Sequence, residues 1–153
     1  MTDVLLSAGA LIGDTDEAER SLVFIAAMEG NAAYLNAMLQ RAHIASLVDV
    51  CDQYQNTPIH AASKNGHKRA LLSLVRAGAN VLAKNVEEET ALHKAAKFGQ
   101  DEIIGELHEL NGKLISDVDS NRDTALHLAA KGGHYKTVQL LIQLDADVGK
   151  FQV

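Results

Sequence analysis

A six-residue string that returns at a fixed period constrains this chain more than any other feature. Thr57-Pro58-Ile59-His60-Ala61-Ala62 recurs as Thr90-Ala91-Leu92-His93-Lys94-Ala95 and as Thr124-Ala125-Leu126-His127-Leu128-Ala129, with threonines 33 and 34 residues apart. Nine residues after each threonine stands a glycine: Gly66, Gly99 and Gly133. A degenerate fourth copy begins at Ser21, with Ala26, Ala27 and Gly30 in register and Phe24 in the histidine column; about three residues are inserted near His43, Ile44 and Ala45. Leu35, Leu71, Ile104 and Val138 share a further column. Met38, Leu74, Leu107 and Leu141 share another, and Ile12, Val48, Val81, Ile115 and Val148 a third. A period of this length marks units that cannot bury an apolar face alone and must stack on their neighbours.

Each unit reads as two short helices and a turn. Thr57, Thr90 and Thr124 suit the N-cap, where a hydroxyl accepts from a first-turn amide. Pro58 falls at the first helical position, where its missing N–H costs nothing. Gly66, Gly99 and Gly133 supply a left-handed residue after the first helix. In the second unit the second helix is expected from His67 to Arg76, with Ala70, Leu71, Leu74 and Val75 as its buried stripe and Gly78 as its stop. The corresponding left-handed stops are expected at Asn111 and, least comfortably, at Asp145. The third unit should be the weakest. Gly105 interrupts its second helix, and His108 fills a column that holds Leu39, Val75 and Ile142 elsewhere. With 4% aromatic residues and no Trp, the core is expected to be thin and aliphatic.

On these residues the chain resembles the ankyrin repeat family, through the T-P-L-H-x-A string and the turn Arg76-Ala77-Gly78-Ala79-Asn80-Val81. The resemblance implies an all-α solenoid of stacked helix-turn-helix units with hairpin loops, about four repeats plus a partial N-terminal unit. It forms a single domain over residues 1–153, with repeats at 21–56, 57–89, 90–123 and 124–153. Residues 1–20 are either a partial repeat or an N-terminal cap. The chain departs from the family pattern in Phe24 for His, Ala91 and Ala125 for Pro, and Asp145 for a turn glycine. The family's hairpin glycine two positions before the threonine is replaced by Gln55, Glu88 and Arg122, which leaves the geometry of the hairpin tips open.

The chemistry visible in the sequence is sparse. Acidic residues outnumber basic ones by 20 to 14, for a net charge of −6, so a nucleic-acid partner is not expected. No stretch is long and apolar enough for membrane insertion. The single cysteine, Cys51, fits a reducing compartment, and the expected location is cytoplasmic. It is a poor nucleophile candidate, because no catalytic motif surrounds it and its charged neighbours, Asp49 and Asp52, are acidic and not basic. His60, His93 and His127 stand one repeat apart, too far to share one metal ion. The resemblance gives these three a structural role, tying adjacent turns together. No catalytic group, metal or cofactor is expected, and Glu87-Glu88-Glu89 reads as a solvated turn.

What remains is surface. Lys64, Lys97 and Lys131 occupy one column near the end of the first helix, where a cation either complements the helix dipole or serves a partner. In the family, partners dock on the hairpin tips and on the concave face of the first helices. The matching positions here are Gln53, Tyr54, Gln55, Val86, Glu87, Glu88, Asn121 and Arg122 on the tips, and Asn65, Lys94, Phe98 and Leu128 on the helices. Tyr54 and Phe98 are natural anchors, since buried aromatics concentrate binding energy; Phe98 could equally pack between units. The function implied is non-enzymatic binding of a protein partner of unstated identity. The alternatives are the cytosolic ankyrin segment of a membrane protein, such as a transient-receptor-potential type cation channel, or the targeting arm of a secreted bacterial effector. The last unit leaves Val138, Leu141 and Ile142 without a following repeat, so the expectation is either further repeats or end-to-end self-association.

Overall fold

The computed structural model describes residues 21–41 and 47–149, with side chains to Asp145. The expected half-unit or cap at 1–20 and the insertion at His43, Ile44 and Ala45 lie outside these residues, as do Ile12 and the side chain of Val148. Within them the chain forms eight α-helices and no strand: α1 (Leu22–Glu29), α2 (Ala32–Leu39), α3 (Pro58–Lys64), α4 (Lys68–Arg76), α5 (Ala91–Lys97), α6 (Asp101–Leu110), α7 (Ala125–Lys131) and α8 (Tyr135–Gly149). The first helices α1, α3, α5 and α7 stack in one row, and the second helices α2, α4, α6 and α8 in another.

The local chemistry is the repeat chemistry. Ser21 caps α1 by accepting from the Phe24 amide at 3.2 Å, and Thr90 caps α5 by accepting from the His93 amide at 3.4 Å. The glycines after the first helices are left-handed, with φ of 75° at Gly30 and Gly66, 70° at Gly99 and 76° at Gly133. Small residues let the first helices touch: Ala26, Ala27, Ala62, Ser63, Ala95, Ala96 and Ala129 are all buried. The second row contributes Leu35, Leu71, Leu74, Ile104 and Leu107, each fully buried and each stabilising the stack by about 1.5–3 kcal/mol. Val75, expected in the α4 stripe, is only half-buried.

Side chains also clasp the joints between units. Gln100 Nε2 donates to the Lys64 carbonyl at 3.0 Å, and His134 Nε2 lies 2.9 Å from the Lys97 carbonyl. Both therefore reach back to the end of the preceding first helix. A Cβ added at Gly66 or Gly99 would lie 2.4 or 2.7 Å from these same side chains, so the glycines serve close approach as well as φ.

Two expected turns are corrected. Asn111 is extended, at φ −158° and ψ 101°, and not left-handed. Its side chain instead accepts from the Lys113 amide at 3.0 Å and starts a 3-10 turn over Gly112–Ser116, because a short polar side chain competes with the backbone as a cap. Asp145 does not stop the last helix, which runs to Gly149. With no glycine in that column, nothing favours leaving the helix there. Of the residues expected to lack a following repeat, Leu141 is buried at 1% exposure, whereas Ile142 is 53% exposed. Helix α8 packs on α6 and α7, and Leu141 belongs to the buried core.

Candidate functional site

The site is built from three hairpin tips held over the first helices. Five residues before each threonine stands Asp52, Asn85 or Asp119, and each works the same way. Asp52 Oδ1 accepts the amides of Tyr54 at 2.9 Å and Asn56 at 2.8 Å. Asn85 Oδ1 accepts those of Glu87 at 3.0 Å and Glu89 at 2.9 Å. Asp119 Oδ1 accepts those of Asn121 at 2.8 Å and Asp123 at 2.9 Å. The backbone closes the same loop, with Gln55, Glu88 and Arg122 donating to the carbonyls of Asp52, Asn85 and Asp119 at 3.0, 2.9 and 2.9 Å. Neighbouring tips are then joined in series: Val86 N–H donates to the Tyr54 carbonyl at 3.0 Å, and Ser120 N–H to the Glu87 carbonyl at 2.9 Å.

This closure answers the question left by the missing hairpin glycines. Gln55, Glu88 and Arg122 take the left-handed conformation anyway, at φ 63°, 60° and 65°. The hydrogen bonds of each cage hold a side-chain-bearing residue where glycine would be more comfortable.

The three repeat histidines bind the tips to the helices. His60 Nδ1 accepts from the Thr57 amide at 3.0 Å. Nε2 must then carry the proton, and it donates to the Glu89 carbonyl, just before the next threonine, at 2.9 Å. His93 repeats this, with the Thr90 amide at 3.0 Å and the carbonyls of Asp117 and Asp123 at 3.1 and 3.2 Å. Burial is the largest influence on both rings and keeps their pKa below the ordinary histidine value, against the hydrogen bonds to carbonyls that favour the charged form. His127 keeps only the first half of the pattern, with the Thr124 amide at 3.1 Å; among the described residues its Nε2 meets no carbonyl.

The charges on the helices are mostly matched. Glu89, expected to be solvated, is 2% exposed, because it sits where the tip folds back on α5. Its carboxylate pairs with Lys94 at 2.7 Å and Lys97 at 3.6 Å and accepts from Asn85 Nδ2 at 3.0 Å. Burial pushes this carboxyl up, but the bonds from Lys94 and Asn85 and the two ammonium charges outweigh it and hold the pKa below the ordinary glutamate value. Lys131 pairs with Asp123 in the same way. Lys64 instead lies over the Phe98 ring, 5.1 Å from its centroid.

Two cavities open between the tips and the first helices. One, of about 270 Å³, brings together Tyr54, Lys64, Asn65 and Lys94 with Phe24 and Met28. The other, of about 320 Å³, brings together Glu87, Lys97, Asn121, Leu128 and Lys131 with the buried Glu89. Leu128 is nearly covered, at 8% exposure. Gln53, Gln55, Glu88 and Arg122 are exposed on the tips and line neither cavity. Val86 is 53% exposed, Tyr54 56% and Phe98 40%. Sequence reasoning missed Glu89, whose burial depends on how units stack, and the caging column of Asp52, Asn85 and Asp119, whose fixed offset from the threonines was readable.

A family model of ankyrin repeats matches residues 1–85 and 70–152. The chain belongs to the ankyrin repeat family. Among curated ankyrin-containing relatives, it is 32% identical to human transient receptor potential cation channel subfamily A member 1 over 150 residues, covering 95% of this chain and 13% of that one. It is 38% identical to the homolog of that channel from Caenorhabditis elegans over 102 residues, 67% of this chain and 8% of that one. It is 33% identical to ankyrin repeat and SOCS box protein 2 of Bos taurus over 90 residues, 59% of this chain and 14% of that one. The chain therefore spans a small part of each relative. Ankyrin repeats are in general non-enzymatic interaction modules, and the resemblance covers essentially the whole chain. None of the described helices is long and apolar enough to cross a membrane.

Proposed function

We propose that this chain is a non-enzymatic module that binds a protein partner in the groove between its hairpin tips and first helices, in the cytoplasm. One observation carries the reading: the buried columns repeat, whereas the groove positions, apart from the lysine column Lys64, Lys97 and Lys131, do not. Ala26, Ala62, Ala95 and Ala129 occupy one buried column. The groove positions of the same units read Ala61, Lys94, Leu128; Asn65, Phe98, Gly132; and Tyr54, Glu87, Asn121. A scaffold that keeps its core and varies one face supports recognition at that face.

A second reading rests on the channel relatives. Their matches over 95% and 67% of this chain support an ankyrin segment of a cation channel, in which the same groove would seat another part of that channel. Six apolar spans of about 20 residues in the parent coding sequence would support it, and their absence would refute it.

The binding reading is tested by quantitative pull-down with the intact array. Replacing Tyr54 and Phe98 together with Ala should weaken capture by more than about 1 kcal/mol in total. Replacing Lys68 and Lys136, on the second helices, should leave it unchanged. The opposite pattern refutes the groove as the binding face.

A further inference from the structure

We infer that the cavity between the first two described units takes an apolar side chain of an extended partner segment that carries a carboxylate within a residue or two. The inference rests on the interaction reading above and names the chemistry of the partner. Part of the cavity wall is apolar: Phe24, Met28, Ala61 and the ring of Tyr54. Its polar groups are out of balance in one direction. Asp52 spends Oδ1 on two tip amides and Oδ2 on Asn56 Nδ2 at 3.3 Å. Asn56 Oδ1 is taken by Asn85 Nδ2 at 2.9 Å, and both ring nitrogens of His60 are engaged. The imidazole is thus fully engaged inside the chain, and three of the about four acceptor positions of the carboxylate are taken.

The ammonium donors are not. Lys94 gives a hydrogen to Glu89, and an ammonium has three. Lys64 has no carboxylate partner among the described residues, and the reason is in the sequence. Lys97 and Lys131 pair with Glu89 and Asp123, the residues just before Thr90 and Thr124. The residue just before Thr57 is Asn56, so the lysine of that unit is left to rest on the Phe98 ring. An incoming carboxylate meets a cation already steadied by a ring, with a second cation nearby. A basic side chain would meet like charge at Lys64 and Lys94, and the one carboxylate on the wall, Asp52, is already held by the tip amides. Neighbouring first helices lie roughly 10 Å apart and an extended chain advances roughly 3.3 Å per residue, so apolar and acidic groups of one segment reach both.

The test pans a random peptide library on phage against the full chain. The best peptide and its Asp→Asn or Glu→Gln form are then synthesised and titrated by fluorescence anisotropy. Selected peptides should pair an apolar residue with a nearby acid. Removing the peptide carboxylate, or changing Lys64→Glu, should each weaken binding about ten-fold, with less difference at high salt. Lys64 is exposed, so circular dichroism of the variant should match the parent. If selected peptides lack acids, or bind Lys64→Glu equally well, yet lose binding in Tyr54→Ala, this inference falls and the groove reading stands. If Tyr54→Ala and Phe98→Ala leave binding untouched, or no peptide is selected, the groove reading falls and takes this inference with it.

Discussion

Replacing the three left-handed tip residues with glycine should stabilise the array. Gln55, Glu88 and Arg122 sit at φ 63°, 60° and 65°, where a Cβ crowds the following carbonyl at a cost of about 1–2 kcal/mol per residue. Their side chains are exposed and form none of the ion pairs between described residues, so little is lost by removing them. Glycine returns part of the gain through its extra freedom in the unfolded chain, roughly 0.5–1 kcal/mol. The net expectation is about 0.5–1 kcal/mol per site. The tips are separate enough for near-additivity, so the triple variant should gain about 1.5–3 kcal/mol. Urea unfolding followed by circular dichroism measures this, with an unchanged dependence on denaturant as the check that compactness is unaltered. Gln55→Val is the converse, since a branched side chain tolerates φ > 0 least, and should fall below the parent. A triple glycine variant that is no more stable than the parent would refute the reasoning and show that the caging side chains leave no strain to relieve.

Other outcomes follow from the same geometry. Glu89→Ala strips the half-buried Lys94 of its partner and should destabilise the array at neutral pH, by less than the about 3–5 kcal/mol of a fully buried pair because Lys94 keeps some contact with water. Because the folded pKa of Glu89 is depressed, its contribution is present above the unfolded value near 4.3 and fades as pH falls through the folded one, so parent and variant stabilities should converge in strong acid. The depressed pKa values of His60 and His93 mean that stability is full above the unfolded value near 6.5 and declines as pH falls below it; unfolding free energies measured from pH 8 to pH 5 should show this slope, and His60→Gln should flatten it. A Cβ at Gly105 would meet nothing within 4 Å, so Gly105→Ala should raise the melting temperature by an amount worth about 1 kcal/mol. In the parent, α6 carries this glycine and the unpartnered, buried His108 Nδ1, so its amides should exchange faster than those of α4; equal protection would contradict that.

The sequence made the architecture legible because a repeat supplies each position several times. Leu74 is an ordinary leucine alone, but the column Met38, Leu74, Leu107, Leu141 identifies a buried face, and all four are buried. Positions that depart from the repeat were read less well. Asn111 was expected in a left-handed turn by analogy with Gly78, yet its side chain could cap a 3-10 turn, a choice made by local hydrogen bonding that column statistics do not see. Glu89 was grouped with its exposed neighbours Glu87 and Glu88 because burial at a tip is decided by the stacking of units and not by the local string. The candidate surface was legible as a set of positions. Its division into two cavities, and the unmatched Lys64, required the side-chain geometry.

The central claim is that partners bind where tips meet first helices. Hydrogen exchange with and without a bound partner or selected peptide tests it most directly. New protection is expected at the tip amides of residues 52–56, 85–89 and 119–123 and at the exposed ends of α3 and α5. Protection concentrated on α2, α4 and α6, with the tips unchanged, would contradict it.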